Sequence, residues 1–176
     1  MGIAIDFGTS NTVIARWNRA TQQPETLTLP GLSYRSSQNP PLIPSLLYVE
    51  NAATATVVLG QQVRERSLDL GTDPRFFRNF KRGIGAPVQG FLPELDGQVL
   101  SFEQVGQWFL SQLIQQLKTV EPEAGQSLTF TVPVDSFETY RLWLGKVCQS
   151  LQVEQVRMLD EPTAAALGYG LGDRDT

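Results

Sequence analysis

Apolar and polar positions along this chain form several short extended runs and two long stretches with helical period. Gly2 to Asp6 reads as a short buried strand ending in a carboxylate. Thr12 to Trp17 is apolar and β-branched and reads as a second strand, so the two make a hairpin across the turn residues Gly8-Thr9-Ser10-Asn11. Thr26 to Leu29 can form a third strand. Ser45 to Glu50 and Thr56 to Leu59 read as strands around a small-residue turn, Gln61 to Ser67 as a short helix, and Gln98 to Leu100 as a strand. The first helical stretch follows the capping box Ser101-Phe102-Glu103-Gln104, with Phe102, Val105, Phe109, Leu113, Ile114 and Leu117 on one face. The second follows Asp135 and Glu138, which can cap it, with Phe137, Tyr140, Leu144, Val147 and Leu151 on its face. Between and after these lie strands Ser127 to Val132, ending at Pro133, and Gln155 to Leu159. Pro162 suits a first helical position, and the small-residue helix Thr163 to Tyr169 can end at Gly168 or Gly170.

The order is therefore hairpin strands, an insertion, then helix, strand, helix, strand, helix. The last part is a βαβ pattern, which demands a parallel pair with a right-handed crossover. An α/β fold is expected, its sheet mixed, with antiparallel early strands and parallel later ones. Pro30 to Pro44 is rich in Pro, Gly, Ser and Asn and reads as an irregular connection. Residues 1–32 and 98–176 are expected to form one core subdomain and 33–97 an inserted α+β subdomain. No internal repeat is visible.

Composition narrows the chemistry. Of 176 residues, 41% are hydrophobic and 18% charged, an ordinary globular mix. A net charge of −4 argues against nucleic acid or an anionic membrane as partner. No apolar run approaches the roughly 20 residues needed to span a bilayer. The opening residues lack the basic region of a signal peptide, and Asp6 stands where a myristoylation motif needs Ser or Thr. The single cysteine, Cys148, permits no intrachain disulfide, and a cytoplasmic location is expected. There is no histidine. A serine-histidine-aspartate triad, a cysteine-histidine pair and histidine-ligated zinc are thereby excluded. Carboxylates, lysine, hydroxyls and backbone dipoles remain.

Four segments could carry such chemistry, and each also has a plain structural reading. In Asp6-Phe7-Gly8-Thr9-Ser10-Asn11, glycine and consecutive amides can form an anion-binding concavity, with Asp6 holding a magnesium ion through waters; the same residues also suit a tight hairpin turn. Asp6-Phe7-Gly8 matches the protein-kinase magnesium motif, but none of that family's preceding motifs comes before it, so the protein-kinase reading is rejected. Glu161, in Leu159-Asp160-Glu161-Pro162-Thr163-Ala164-Ala165-Ala166, sits at a strand-to-helix junction where it can orient or deprotonate a water, or simply cap the helix. Lys81, in Phe80-Lys81-Arg82-Gly83-Ile84-Gly85, can reach a phosphate, or belong to a solvated basic surface. Thr131-Val132-Pro133-Val134, followed by Arg141, can be a plain strand terminus.

Taken together, these segments resemble the seventy-kilodalton heat-shock chaperone family of the actin-like ATPase superfamily. The resemblance covers essentially the whole chain. It rests on Ala4-Ile5-Asp6-Phe7-Gly8-Thr9-Ser10, Pro44-Ser45, Leu59-Gly60, Lys81 to Gly85, Val132-Pro133 and, most specifically, Asp160-Glu161-Pro162-Thr163-Ala164-Ala165-Ala166. It implies a ribonuclease-H-like ATPase lobe: a mixed five-stranded sheet with helices on both faces plus an inserted subdomain. It implies ATP or ADP with magnesium, and with potassium as a further cation. Asp6 would sit near the metal. Gly8, Thr9, Ser10 and Asn11 would embrace the phosphates, Lys81 would position the γ-phosphate and attacking water, and Glu161 would assist hydrolysis. Pro133 and Arg141 would relay nucleotide state to a peptide-binding domain. The implied partners are a second nucleotide-domain lobe, that peptide-binding domain and co-chaperones. The chain departs from the family pattern at Asn11, at Thr12 and at Asp160, where asparagine is usual. It stops about where the family's first lobe ends, and the polar tail Gly172 to Thr176 fits a cut in a connecting loop. The isolated segment is expected to fold but to bind ATP weakly and hydrolyse it negligibly. A non-catalytic interaction module, an actin-like filament protein or a sugar kinase on the same fold are the alternatives.

Overall fold

A computed structural model describes residues 2–35, 39–134 and 138–172. Asp135 and Phe137, assigned above to a helix cap and an apolar face, lie outside the described residues, as does the tail 173–176.

The first hairpin forms as its pattern demands, with β1 (Ile3–Phe7) antiparallel to β2 (Asn11–Asn18) and Asp6 opposite Val13. The third strand, β3, spans Gln23–Thr26 rather than Thr26 to Leu29. It is an edge strand paired only with β2, so Pro24, which has no N–H to donate, is tolerated. Leu27 and Leu29 follow it into the core. The two-residue strand β4 (Ile43–Pro44) joins the start of β2. β5 (Leu46–Asn51), β6 (Thr56–Leu59) and, beyond helix α1 (Gln61–Glu65), β7 (Phe76–Arg78) form a separate antiparallel sheet in the order β6-β5-β7. Glu94–Leu95 (β8) and Gln98–Val99 (β9) make a hairpin around Asp96 and Gly97, both at positive φ.

Ser101 caps α2 (Phe102–Val120), its Oγ accepting from the Gln104 amide at 3.1 Å. Val105, Phe109, Leu113, Ile114 and Leu117 are fully buried. β10 (Ser127–Val132), α3 (Glu138–Ser150) and β11 (Gln155–Asp160) complete the crossover, and α4 (Glu161–Gly172) follows directly. The main sheet runs β11-β10-β1-β2-β3, with β1, β10 and β11 parallel to one another. β4 joins this sheet through β2 as a sixth strand.

On one face of this sheet Ile3, Ile5 and Phe7 of β1 join Leu128, Phe130 and Val132 of β10, all buried. Phe7 stacks on Phe109 of α2 at 5.6 Å between ring centroids, so α2 covers this face. α2 and α3 pack closely at Gly106, where a Cβ would meet Ile84 at 2.6 Å and the Trp143 ring at 2.9 Å. Helices are implied on both faces, but above the central strand the second face is open among the described residues. Ala4 and Asp6 there are exposed, being too small or too polar to anchor a helix. Buried residues of the 33–97 segment, Leu47, Val49, Phe77 and Phe80 among them, share one continuous core with the main sheet.

Candidate functional site

The site gathers at the carboxyl ends of the three parallel strands, where ligands enter open α/β sheets. Asp6 is the penultimate residue of β1, Thr131 that of β10, and Glu161 follows β11. Thr131 Oγ1 donates to Asp6 Oδ1 at 2.6 Å, which orients the exposed carboxylate across the strand ends.

The turn after β1 is closed tightly. The Gly8 amide donates to the Asp6 carbonyl at 3.1 Å. A Cβ on Gly8 would lie 2.3 Å from the Asn11 carbonyl oxygen, so no side chain fits. Ser45 braces the loop from beneath. Its Oγ donates to the Gly8 carbonyl at 2.8 Å and lies 3.0 Å from Thr12 Oγ1, and its amide donates to the Ser10 carbonyl at 2.9 Å. Ser45 and Thr12 are both buried.

Lys81 arrives from the other side of the chain. Asn79, in the left-handed region at φ 56°, turns the backbone into a single 3-10 turn, Phe80–Gly83. Phe80 then packs against both Phe7 and Phe109, with ring centroids at 6.2 and 5.5 Å. The turn packs tightly on α2, because a Cβ on Gly83 would stand 2.1 Å from the Phe102 ring. Lys81 is 7% exposed, so the solvated-surface reading of this segment fails. Its Nζ donates to Glu161 Oε1 at 3.2 Å, a contact between residues 80 apart in sequence.

Asp6, Gly8, Thr9, Lys81, Thr131, Pro133, Tyr140 and Glu161 line one cleft of about 580 Å³. Of the residues proposed from sequence, Asp6, Gly8, Thr9, Lys81, Pro133 and Glu161 are thus brought together. Ser10 and Asn11 are exposed and outside the lining; Asn11 instead opens β2 opposite Pro44. Arg141 is also outside it, and its Nη2 donates to Asp160 Oδ1 at 2.5 Å. Sequence reasoning passed over Thr131, Ser45 and Tyr140 as site residues. The Tyr140 hydroxyl is buried without a hydrogen-bond partner, and burial, reinforced by Glu161 and Asp6, pushes the phenol well above its ordinary range.

The donor set fits a hydrated magnesium ion bound beside phosphates. Among the described residues no three carboxylate or cysteine side chains cluster as a protein cage for a metal. Magnesium keeps several waters and takes only one or two carboxylates plus substrate oxygens. Asp6 and Glu161 are the two carboxylates lining the cleft among the described residues.

No family model matches this chain. It is similar to the chaperone protein HscA homolog of Shewanella frigidimarina (strain NCIMB 400). The two are 27% identical over 192 aligned positions, covering 99% of this chain and 29% of that protein. The chain thus corresponds to under a third of its relative's length. The similarity is distant and partial.

Proposed function

We propose that this chain is the phosphate-binding lobe of an ATP-hydrolysing, heat-shock-type chaperone, with an actin-like ATPase fold. The observation that carries the reading is the convergence of Asp6, Thr9, Lys81 and Glu161 on one cleft at the strand ends. Similarity to a chaperone over nearly the whole chain supports it.

In this reading the Gly8 and Thr9 amides and the Thr9 hydroxyl receive the phosphates, and Ser10 and Asn11 shape the turn behind them. Asp6 would hold magnesium, which would supply charge neutralisation at the phosphates. Lys81 supplies a fixed positive charge for the terminal phosphate. Glu161, paired to Lys81 on one oxygen and 44% exposed in its side chain, keeps its other oxygen for an attacking water. Phosphoryl transfer depends chiefly on such positioning and electrostatics, so the lack of histidine is no obstacle. A second lobe would close over the nucleotide. Pro133, at the cleft, and Arg141, held by Asp160, would report its state to a peptide-binding domain and co-chaperones.

The test is magnesium-dependent ATP hydrolysis by the full-length gene product, wild type against Glu161→Gln. The variant is expected to lose about 10²–10⁴-fold in rate while retaining nucleotide, the usual size of a general-base contribution. Wild-type protein without ATP turnover, or a variant as fast as wild type, refutes the reading.

A further inference from the structure

The Lys81 ammonium has more company than its ion pair. It lies 5.6 Å from the centroid of the Phe7 ring and 5.9 Å from that of Tyr140, within cation–π range of both. Both rings are buried, and the lysine itself is nearly so. A lysine removed from water needs compensation. Here one hydrogen bond goes to Glu161, and two ring faces supply the rest.

We propose that Phe7 and Tyr140 form an aromatic clamp that positions the Lys81 ammonium in the cleft while leaving its charge free for an anionic ligand. A second carboxylate in their place would hold the lysine equally well but would neutralise it and occupy its donors. Ring quadrupoles attract the cation without accepting its N–H bonds. Lys81 therefore keeps donors for a phosphate oxygen. Tyr140 and Phe7 are positioning residues, acting through Lys81. The Tyr140 hydroxyl makes no hydrogen bond, so the ring alone does this work.

The clamp itself can be tested without any ligand, whereas its catalytic use rests on the ATPase reading. The chain has three lysines, Lys81, Lys118 and Lys146. In isotope-labelled full-length protein, the ring currents of Phe7 and Tyr140 should shift the Lys81 ε-methylene protons upfield of the ordinary lysine position, with Lys81→Arg assigning the signal. Tyr140→Phe should keep the shift, because the ring itself is retained. Tyr140→pentafluorophenylalanine preserves shape but reverses the quadrupole. It should lower kcat by about five- to thirtyfold with KM little changed, the equivalent of roughly 1–2 kcal/mol. An unshifted Lys81 signal overturns the clamp. A shifted signal with unchanged kcat in the fluorinated variant overturns its positioning role. If the wild type hydrolyses no ATP, the ATPase reading fails and takes the catalytic role with it, while the shifted signal still decides the clamp.

Discussion

Replacing Ser45 by alanine tests how the turn after β1 is held. Ser45 Oγ donates its only proton to the Gly8 carbonyl at 2.8 Å, so the 3.0 Å contact with Thr12 must have Thr12 as donor and Ser45 as acceptor. Both side chains are buried. Ser45→Ala removes two hydrogen bonds, each contributing about 1 kcal/mol net, and it strands the Thr12 hydroxyl, which costs about 1–3 kcal/mol when no acceptor replaces Ser45. Partial relaxation of the Thr12 rotamer recovers some of this, so the expected destabilisation is about 2–3 kcal/mol. For a chain of this size each kcal/mol is worth roughly 2–4 °C, so Tm should fall by about 5–10 °C. Thr12→Val removes only the upper bond, leaves Ser45 donating to Gly8, and should cost about 1 kcal/mol. The double variant should be no less stable than Ser45→Ala, because the stranded hydroxyl is gone. Urea unfolding of the four proteins gives the cycle directly. Strictly additive losses, or a Ser45→Ala loss under about 0.5 kcal/mol, would refute the relay from Thr12 through Ser45 to the loop.

Two further predictions concern titration and burial. The Arg75 guanidinium, with help from the Ala52 amide, lowers the Asp96 carboxyl from 3.8 to about 2. A depressed carboxylate stabilises the fold above its unfolded value and loses that contribution as pH falls through its folded value. Asp96 should therefore stabilise the protein above pH 3.8 and lose its contribution as pH falls towards about 2, and Asp96→Asn should flatten that part of the unfolding profile. A variant with the wild-type acid profile would show the ion pair to be idle. Cys148 is fully buried and its thiol is pushed up to about 12 by burial, so a thiol reagent at neutral pH should label it only after denaturant unfolds the chain. Prompt labelling of native protein would mean that α3 opens readily.

The sequence announced those elements whose burial produces a pattern. β10 and β6 match their expected bounds, because β10 alternates buried and half-buried positions and β6 is a short apolar run between turn residues. β3 was displaced because Gln23, Pro24 and Glu25 are exposed on an edge, where no apolar alternation is imposed. That strand is held instead by pairing, with Arg16 reaching across to Glu25. Of the β8–β9 hairpin only the second strand was expected, as Gln98 to Leu100, although Asp96-Gly97 is a strong turn signal. Its flanking strands are two residues each, too short for any period.

For the site, sequence supplied the residue types and could not supply their approach. Lys81 looks like part of a basic surface because Arg78, Lys81 and Arg82 are neighbours in sequence. What separates them is Phe80, whose packing against Phe7 and Phe109 turns the lysine inward while Arg82 stays exposed. That packing depends on rings contributed by β1 and α2, and on a left-handed residue at Asn79 that no periodicity announces. Tyr140 illustrates the same limit from the other direction. Helical spacing correctly assigns it to the buried face of α3, and there the signal ends. Only the crossover that sets α3 beside the ends of β1 and β10 brings its ring to the lysine. Side chains that reach a ligand betray themselves by chemistry, such as a carboxylate at a strand end. Those that aim another side chain are indistinguishable in sequence from core, because burial is how they do it.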